Sequence, residues 1–552
     1  MLEDFDLQSI QDIEGARQAI VRLLNLVEEL ASDNRELRAE NQSLRDEINR
    51  LKGEQGKPKI KPNRAGSDST PISHSSEQER RQPRERKKSG KVECIQVDRE
   101  EVLKVNPAQL PADAEFKGYD DVLVQDLQIK TDNVLFWKEK FYSASEHRAY
   151  VAELPPGYAG QFGPGIKALT LVLYHAAHMS EPKVSEFFQH VGVSISDGQI
   201  SNLLIKGQGG FHAEKEAVFA AGLRSSPWQH EDETGTRVNG VNQHCHTVCN
   251  PVYTAYVTTA KKDRLAALQA LLNGRALTFR LNAEAYDWLA SVSLPASALA
   301  TLRQLPADQV WSEAEFTHRL NERLPKIGEP HRQRIMEAAA VAAYHAQHEF
   351  PVVDLLVCDD ADQFKRLTDE LALCWVHDGR HYKKLEPVVP DHRIALDDFR
   401  GQYWDLYDDL LSYKQAPTPE DAARLSQQFD VRFSTVTGYA DLDDRIAKTR
   451  AKKDSLLRVL KHPELPLHNN PAELAARRRV RKRDVSFGPR TEEGKQGWDT
   501  FMTLADTAKK LGVSFYQYVY DRVSGANQLP PLADLIAEKA KQLHLGASWN
   551  VA

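Results

Sequence analysis

A leucine repeat near the N-terminus constrains the fold of this chain more than any other feature. Leucine recurs every seven residues, and the positions four residues later hold two β-branched residues and two asparagines. Such a sustained repeat predicts a helical leucine zipper over residues 14–52, and buried asparagines favour a parallel two-stranded coil. The zipper sets a minimum of two chains, so a homodimer or a higher oligomer is expected. The alternative is an amphipathic helix packed on its own chain. The residues expected at the dimer interface are Leu23, Leu30, Asn34, Leu37, Asn41, Leu44 and Leu51.

The following segment, residues 53–91, has the composition of a disordered linker. Proline, glycine, serine and charged residues dominate it, so it cannot bury a core. Its densest basic run is Arg80, Arg81, Arg84, Arg86, Lys87, Lys88 and Lys91. Such a run can follow DNA phosphates without reading sequence, or it can be a solvated linker that binds nothing specific.

The composition is that of a soluble chain of several domains. The 552 residues suggest about three or four units. No stretch resembles a membrane span or a secretory signal, and the five cysteines are too scattered for a disulfide framework. We therefore expect reduced thiols, a cytoplasmic location and no membrane partner. The formal net charge of −7 excludes a uniformly basic chain, so any DNA contact must come from local basic patches.

Two small units are expected before the centre of the chain. Short apolar runs at 122–124 and 134–137 predict a small mixed α/β domain over residues 92–160. Three helical patterns within 161–210 have the spacing of a helix-turn-helix, a DNA-binding arrangement that is also common in α-rich proteins generally. The patterns lie at 166–178, 183–190 and 197–206. In the third, the residues expected to face the major groove are Gln199, Ser201, Asn202 and Lys206.

Residues 225–263 predict three antiparallel strands followed by a helix. Asn239-Gly240 between two alternating runs is typical of a hairpin, and a second turn is expected at Asn250-Pro251. Asp232 lies in the first strand of this meander. Three such strands followed by a helix open the RNase H-like fold, so we expect the first part of that domain here.

A second acidic residue ends a buried strand. Residues 352–359 form an apolar run that closes on Asp359, and the carboxyl ends of such strands carry functional groups in α/β sheets. A further strand is expected at 371–376. Residues 351–386 are expected to form the second part of the RNase H-like domain. If the first and fourth strands are neighbours, Asp232 and Asp359 meet, and a divalent metal would relieve their repulsion. Asp360 is the alternative ligand.

The third acidic residue begins a basic helix in the expected third part of the domain, residues 465–525. With Asn470 as N-cap and Pro471 at the first helical position, Glu473 falls at the third position. Glutamate there is also an ordinary capping-box residue. The basic residues that follow, and that would suit a phosphate backbone, are Arg477, Arg478, Arg479, Arg481, Lys482 and Arg483.

These acidic residues and the short sequence motifs around them together resemble the transposases of the insertion sequence 66 family. The matching stretches are Asp232-Glu233-Thr234-Gly235, Val357-Cys358-Asp359-Asp360, Cys374-Trp375-Val376-His377, Asn469-Asn470-Pro471-Ala472-Glu473 and Val485-Ser486-Phe487-Gly488-Pro489-Arg490. The resemblance implies a bacterial, nucleoid-associated DDE transposase with an RNase H-like catalytic domain. Its ligands for two Mg²⁺ ions, or Mn²⁺ in their place, would be Asp232, Asp359 and Glu473. It also implies terminal inverted repeats as the substrate and accessory proteins of the same element as partners.

The remaining segments follow from this assignment. Residues 264–350 and 387–464 are helical in pattern and are expected to be insertions, and residues 526–552 a C-terminal tail helix. In the Cys374–His377 pair, we expect Trp375 to pack the core and His377 to shape the site. The alternative is a zinc site, whose further ligands would come from His244, Cys245, His246 and Cys249.

Two other functions stay open at this point. One is a DNA-binding relative that no longer cuts. The other is an RNase H-like nuclease or resolvase that acts on branched DNA without strand transfer. The zipper argues against the second, because pairing two transposon ends requires a dimer whereas a structure-specific nuclease does not.

Overall fold

A computed structural model describes residues 12–51, 95–111, 114–158 and 160–546. The predicted linker at 53–91, with its basic run, lies outside these residues. Among the helices that the structure describes, none is both long enough and apolar enough to cross a membrane.

The predicted zipper is one long helix, α1 (Ile13–Leu51). It packs on its own chain, but not through the leucine repeat. Asn25 exchanges hydrogen bonds with Gly438 and Ala440, and the Glu28 carboxylate accepts the backbone N–H groups of Val388 and Val389. Asn25 and Glu28 lie on the side opposite the repeat. Leu30, Leu37 and Leu44 accordingly remain more than half exposed.

Glu28 is buried at the start of a helix that begins at Pro390. Burial raises the pKa of Glu28, but the hydrogen bonds from Val388, Val389 and His392 lower it, and the net shift is downward. The carboxylate therefore stays charged and supplies the N-terminal cap that the helix lacks from its own residues. This contact joins the zipper helix to a segment 360 residues away along the chain.

The expected small domain at 92–160 is not what the structure shows. Residues 95–111 and 114–158 contain a 3₁₀ turn (Pro107–Gln109) and one hairpin, β1 (Lys140–Ser143) with β2 (Arg148–Val151). The apolar runs at 122–124 and 134–137 are not strands here, and Trp137 is 90% exposed. A strand needs a pairing partner and an apolar surface to cover it, and these runs have neither within the described chain.

The helical region that follows forms as predicted. The three predicted helices are α2 (Pro164–His175), α3 (Glu181–His190) and α4 (Asp197–Ile205), and a fourth that was not predicted, α5 (Gly209–Arg224), follows them. The Ser196 hydroxyl caps α4 by accepting the backbone N–H of Gln199. Ile200 and Leu204 bury the inner face of α4, as the sequence pattern requires.

A five-stranded sheet forms the centre of the protein. Its strands are β3 (Trp228–Val238), β4 (Val241–Asn250), β5 (Tyr253–Thr259), β8 (Leu355–Cys358) and β9 (Glu370–Leu373). The spatial order is β5-β4-β3-β8-β9: the first three are antiparallel, and β8 and β9 add in parallel. The predicted hairpin is confirmed, with left-handed φ angles at Asn239 (49°) and Gly240 (77°).

The pairing of β3 with β8 brings the first two acidic residues together. His230 lies opposite Val357 in this parallel pair. If this register is continued two residues past the end of the pairing on each strand, Asp232 lies opposite Asp359. The expected strand at 371–376 is wrong at its end, because β9 stops at Leu373 and a helix, α11 (Trp375–Lys383), begins two residues later.

The insertions between these strands are mainly helical. Between β5 and β8 lie α6 (Arg264–Leu271), β6 (Thr278–Arg280), α7 (Ala283–Ser291), α8 (Ala296–Leu302), β7 (Val310–Ser312), α9 (Glu313–Arg323) and α10 (Glu329–Ala346). After α11 come α12 (Pro390–Tyr413), α13 (Pro419–Arg432), α14 (Ala440–Arg450) and α15 (Lys453–Leu456). Trp375 is wholly buried against this second set, and its indole N–H donates to the Leu456 carbonyl.

The last part of the chain returns to the sheet. Its helices are α16 (Asn470–Ser486), α17 (Glu492–Leu511), α18 (Phe515–Val523) and α19 (Leu532–Gln542). Helix α16 packs on β3 and β4, and α17 runs along the edge strand β5.

Helix α17 covers the edge strand β5 and accepts hydrogen bonds from its backbone. Every second residue of β5 donates its backbone N–H to a side chain of α17: Thr254 to Thr507, Tyr256 to Thr503 and Thr258 to Asp499. Four helical residues rise about 6 Å and two strand residues about 6.8 Å, so the spacings match. An open edge would otherwise offer these groups to another chain.

We expect Thr503→Val to destabilise the protein by about 1–3 kcal/mol. Valine has nearly the shape of threonine but cannot accept the N–H of Tyr256, which is fully buried. Chemical denaturation measures the free energy of unfolding. Thr435→Val, at an exposed threonine, is the control and should change it by less than about 0.5 kcal/mol. Equal effects of the two substitutions would contradict the role of Thr503.

Candidate active site

Three acidic side chains from distant segments line one cavity of about 400 Å³. Asp232 comes from the middle of β3, Asp359 from the residue after β8, and Glu473 from the first turn of α16. Arg380 of α11 and Arg477 of α16 line the same cavity. The structure thus brings together all three acids that the sequence singles out.

Asp232 is the most perturbed of these carboxyl groups. Burial raises its pKa, and the nearby charges of Glu473 and Asp359 raise it further, to about 7 from 3.8. The three carboxylates therefore stand close enough to repel one another. A bound cation is the ordinary means of relieving such repulsion.

Glu473 does not occupy the capping position that the sequence suggests. Helix α16 begins at Asn470 with Asn469 as its N-cap, so Glu473 lies one position further along than predicted. Its carboxylate does not return to the helix start. Instead it pairs with the Arg380 guanidinium at 3.0 and 3.3 Å. These contacts argue against the capping-box interpretation of Glu473.

Asn469 fixes the start of α16 to the sheet. Its side-chain amide donates to the Glu231 carbonyl at 2.6 Å, and its oxygen lies 2.8 Å from His230 Nδ1. Its backbone N–H donates to Cys374 Sγ at 3.2 Å. One buried asparagine thus ties the glutamate helix to β3 and to the start of α11.

Asp360, the alternative to Asp359, faces a neighbouring cavity. Its carboxylate pairs with Lys452 at 2.6 Å and with Lys365 at 3.7 Å. Asp359 lines both cavities, whereas Asp360 lines only the one that holds these lysines. The geometry therefore favours Asp359 as the partner of Asp232.

The expected division of roles around Cys374 agrees with the geometry. Cys374 is buried and its sulfur accepts the backbone N–H groups of His377 and Asn469. His377 lines the acidic cavity, and Trp375 packs behind it. Across the described ranges, no three histidine, cysteine or carboxylate side chains are already arranged to hold a metal ion. This covers Asp232, Asp359 and Glu473 as well as the residues of the zinc alternative, so it does not decide between the two kinds of metal site.

Arg380 is a site residue that the sequence analysis missed. It lies one helical turn after His377 and lines the same cavity. The three-residue spacing places both residues on one helix face, but the sequence analysis predicted a strand to residue 376 and no helix after it. Glu233 was also missed. It lines the cavity and is paired with His244 at 2.6 Å and with Lys262 at 2.9 Å.

Two of the six basic residues assigned to DNA binding are structural. Arg479 and Lys482 are fully buried, so neither can reach a phosphate. Arg479 pairs with Asp499 at 3.1 Å and donates to the Thr258 hydroxyl. Lys482 donates to the Tyr174 carbonyl, and burial lowers its pKa well below the usual value. A helix buried on one side must turn part of any continuous basic run inward.

The other four basic residues differ in their exposure to solvent and in whether they already have a partner. Arg477 and Arg481 are exposed on the outer face of α16. Arg478 is half-buried and pairs with Asp506, and Arg483 donates to the Gly235 carbonyl beside β3. Arg477 and Arg481 are therefore the residues of this helix best placed to meet a ligand near the acids.

The proposed groove-facing residues of α4 do not line the acidic cavity. Lys206 is exposed, while Gln199, Ser201 and Asn202 are half-buried. Ser201 lines a separate cavity of about 550 Å³ with Glu181 and Arg490. Of the four, only Lys206 has the exposure that a groove contact requires without a rearrangement.

We expect Asp232→Asn to remove a pH-dependent loss of stability. A carboxyl whose pKa is raised from 3.8 to about 7 by folding stabilises the fold below pH 4 and loses that contribution as pH rises to 7. In a chelator, the wild type should therefore lose up to a few kcal/mol across this window relative to the variant. Urea denaturation at several pH values measures the difference.

Asp287→Asn, at an exposed carboxylate of α7, serves as the control and should keep the wild-type profile. Parallel pH profiles for the wild type and the Asp232→Asn variant would show that Asp232 is not perturbed by its neighbours.

We expect opposite outcomes for two arginines of α16. Arg479→Ala leaves the buried Asp499 without its charge partner and should destabilise the protein by about 3–5 kcal/mol. Arg481→Ala removes an exposed side chain from the same helix and should change stability by less than about 0.5 kcal/mol. Thermal unfolding of both variants measures this contrast. Similar melting temperatures would refute the structural role of Arg479.

Comparisons with known proteins point in one direction. A family model described as "Transposase IS66 family" matches residues 159–286 and 331–497, more than half of the chain. A protein of Sinorhizobium fredii (strain NBRC 101917 / NGR234), named "Uncharacterized protein y4jO", is 35% identical over 324 residues. That alignment covers 58% of this chain and 100% of the relative. No solved structure matches the chain.

Proposed function

Because this chain belongs to the IS66 family of DDE transposases, we propose that it binds the terminal inverted repeats of its element and cleaves and joins DNA strands at the acidic cavity. The observation that carries the proposal is the convergence of Asp232, Asp359 and Glu473 on that cavity from segments more than a hundred residues apart. Only the tertiary structure makes neighbours of them.

We propose that the sheet is the core of an RNase H-like domain. Its spatial order of three antiparallel strands followed by two parallel ones supports this assignment. The domain would consist of residues 225–263, 351–386 and 465–525. The helical segments 264–350 and 387–464 interrupt it, and residues 526–552 form its C-terminal tail.

The three carboxylates suit a divalent metal. Mg²⁺, or Mn²⁺ in its place, prefers a few carboxylate oxygens supplemented by water and phosphate oxygens. Held by Asp232, Asp359 and Glu473, two such ions would activate the attacking oxygen and stabilise the leaving oxygen. The raised pKa of Asp232 supports this fit, since burial and then the charges of Glu473 and Asp359 disfavour its ionised form, and a cation would favour it.

The chain's own side chains prepare the site for this chemistry. Arg380 pairs with Glu473 and offsets part of the negative charge of the cavity. Arg477, exposed one turn beyond Glu473, is placed to hold a phosphate beside the reacting one. Asn469 keeps the first turn of α16 against β3, so that Glu473 stays within reach of both aspartates.

Outside the cavity, three features support binding of paired DNA ends. The leucine repeat of α1 is exposed and unpaired within the described chain, as a parallel dimer would need. Helices α2 to α4 have the spacing of a helix-turn-helix, with Lys206 outward. The basic run in the linker could follow the phosphate backbone.

The test is cleavage of a labelled duplex that carries the end of the element, in Mg²⁺ or Mn²⁺. We expect the wild type to cut at the end and to join the new 3′ end to a second duplex. Asp232→Ala, Asp359→Ala and Glu473→Ala should each reduce the rate by at least about 100-fold, because each removes a metal ligand. Asp360→Asn, in the neighbouring cavity, should leave the rate near that of the wild type.

Each alternative has its own outcome. Binding without metal-dependent cleavage, repeated with any companion proteins of the element, would indicate a silent DNA-binding relative. Cleavage without joining would indicate a nuclease. If cleavage survives one of the three alanine substitutions, that residue does not belong to the site.

A further inference from the structure

Phe487 projects into solvent at the end of the helix that carries Glu473. Its side chain is 85% exposed, and its backbone is left-handed, with φ of 59°. Glycine or asparagine is usual at this helix-ending position, because a bulky side chain disfavours a left-handed backbone. Neither burial nor backbone preference therefore accounts for a phenylalanine here.

The backbone around Phe487 is held firmly against the turn between β3 and β4. The Phe487 N–H donates to the Arg483 carbonyl at 2.7 Å, and the Asn239 N–H donates to the Pro489 carbonyl at 2.9 Å. At Gly488, a β-carbon would lie 2.2 Å from the Arg237 carbonyl oxygen, so only glycine permits this approach. The aromatic ring thus extends from a fixed base.

The surface around this ring is basic. Arg490, three residues after Phe487, is exposed, and the exposed Arg237 lies against Gly488, the residue that follows Phe487. Arg483 donates to the Gly235 carbonyl and pairs with the exposed Asp484 near the end of α16. Between Glu473 and Phe487, the outer face of α16 carries the exposed Arg477 and Arg481. A line of arginines that ends in an exposed aromatic ring suits a nucleic acid, because the charges bind phosphates and the ring stacks on a base.

We propose that Phe487 inserts into the base stack of the DNA end, about six nucleotides from the phosphate that is cut. The distance follows from the helix: fourteen residues at about 1.5 Å each separate Phe487 from Glu473, and each nucleotide advances a strand by about 3.4 Å. The inference rests on the proposed function, since it assumes that a DNA end enters the acidic cavity and runs along α16.

The test uses full-length protein with a 2-aminopurine base placed singly along the terminal inverted repeat. An Asp359→Asn background keeps the DNA uncut in Mg²⁺. We expect a fluorescence maximum, which reports unstacking, about six nucleotides from the cut. Phe487→Gly should abolish the maximum and weaken binding by about 5- to 150-fold, and Phe487→Trp should preserve both.

Phe487→Gly should fold normally, because glycine adopts the left-handed backbone without strain. Its melting temperature should equal or exceed that of the parent protein. Val485→Ala, at a half-exposed residue of the same helix end, is the matched control and should leave the profile unchanged.

The outcomes separate this inference from the proposed function. A flat fluorescence profile, or a maximum that survives Phe487→Gly, would overturn the role of Phe487 even if the wild type cleaves normally. A maximum that depends on Phe487 in a protein whose wild type never cleaves would support the inference and overturn the proposed catalysis. If Phe487→Gly changes the oligomeric state and not the DNA signal, the ring contacts protein and the inference is wrong.

Discussion

The buried ion pair between Arg479 and Asp499 is the contact on which the active site most depends. Arg479 belongs to the helix that carries Glu473, and Asp499 belongs to the helix that covers the edge strand β5. Because Asp499 also accepts two hydrogen bonds from Thr258, one carboxylate joins both helices to the sheet. A buried charge without these partners would be strongly destabilising, so the three elements keep one arrangement.

Because these elements are held rigidly, the cavity can keep carboxylates together in an electrostatically unfavourable arrangement. Three carboxylates share a cavity, and one of them has a pKa raised to about 7 by burial and by its neighbours. An isolated sheet edge would relax such repulsion by moving the acids apart. Here Asn469 ties the start of α16 to β3, while the parallel pairing of β3 and β8 fixes the two aspartates. This frame of helices and sheet thus keeps the three carboxylates in one cavity despite their repulsion.

The N-terminal helix is connected to the same frame through charge. Glu28 caps α12, which belongs to the segment that also encloses Trp375 behind the cavity. Because the capping face of α1 lies opposite its leucine repeat, the contact of Glu28 with α12 leaves Leu30, Leu37 and Leu44 exposed.

The sequence alone determined the elements whose signals are local. The Asn239-Gly240 hairpin, the apolar strand that ends at Asp359 and the heptads of α1 follow from short-range spacing. Asp232 and Asp359 were predicted from their positions on strands, whereas the prediction of Glu473 rested on the basic helix beside it and on the family resemblance. Tertiary structure decided which charges of α16 face inward. Of its six basic residues, two are buried, two are half-buried and two are exposed: Arg479 and Lys482, Arg478 and Arg483, and Arg477 and Arg481, respectively. It also brought Arg380 to Glu473 across 93 residues. Burial and long-range pairing depend on what the rest of the chain packs against each face, and no local pattern contains that information.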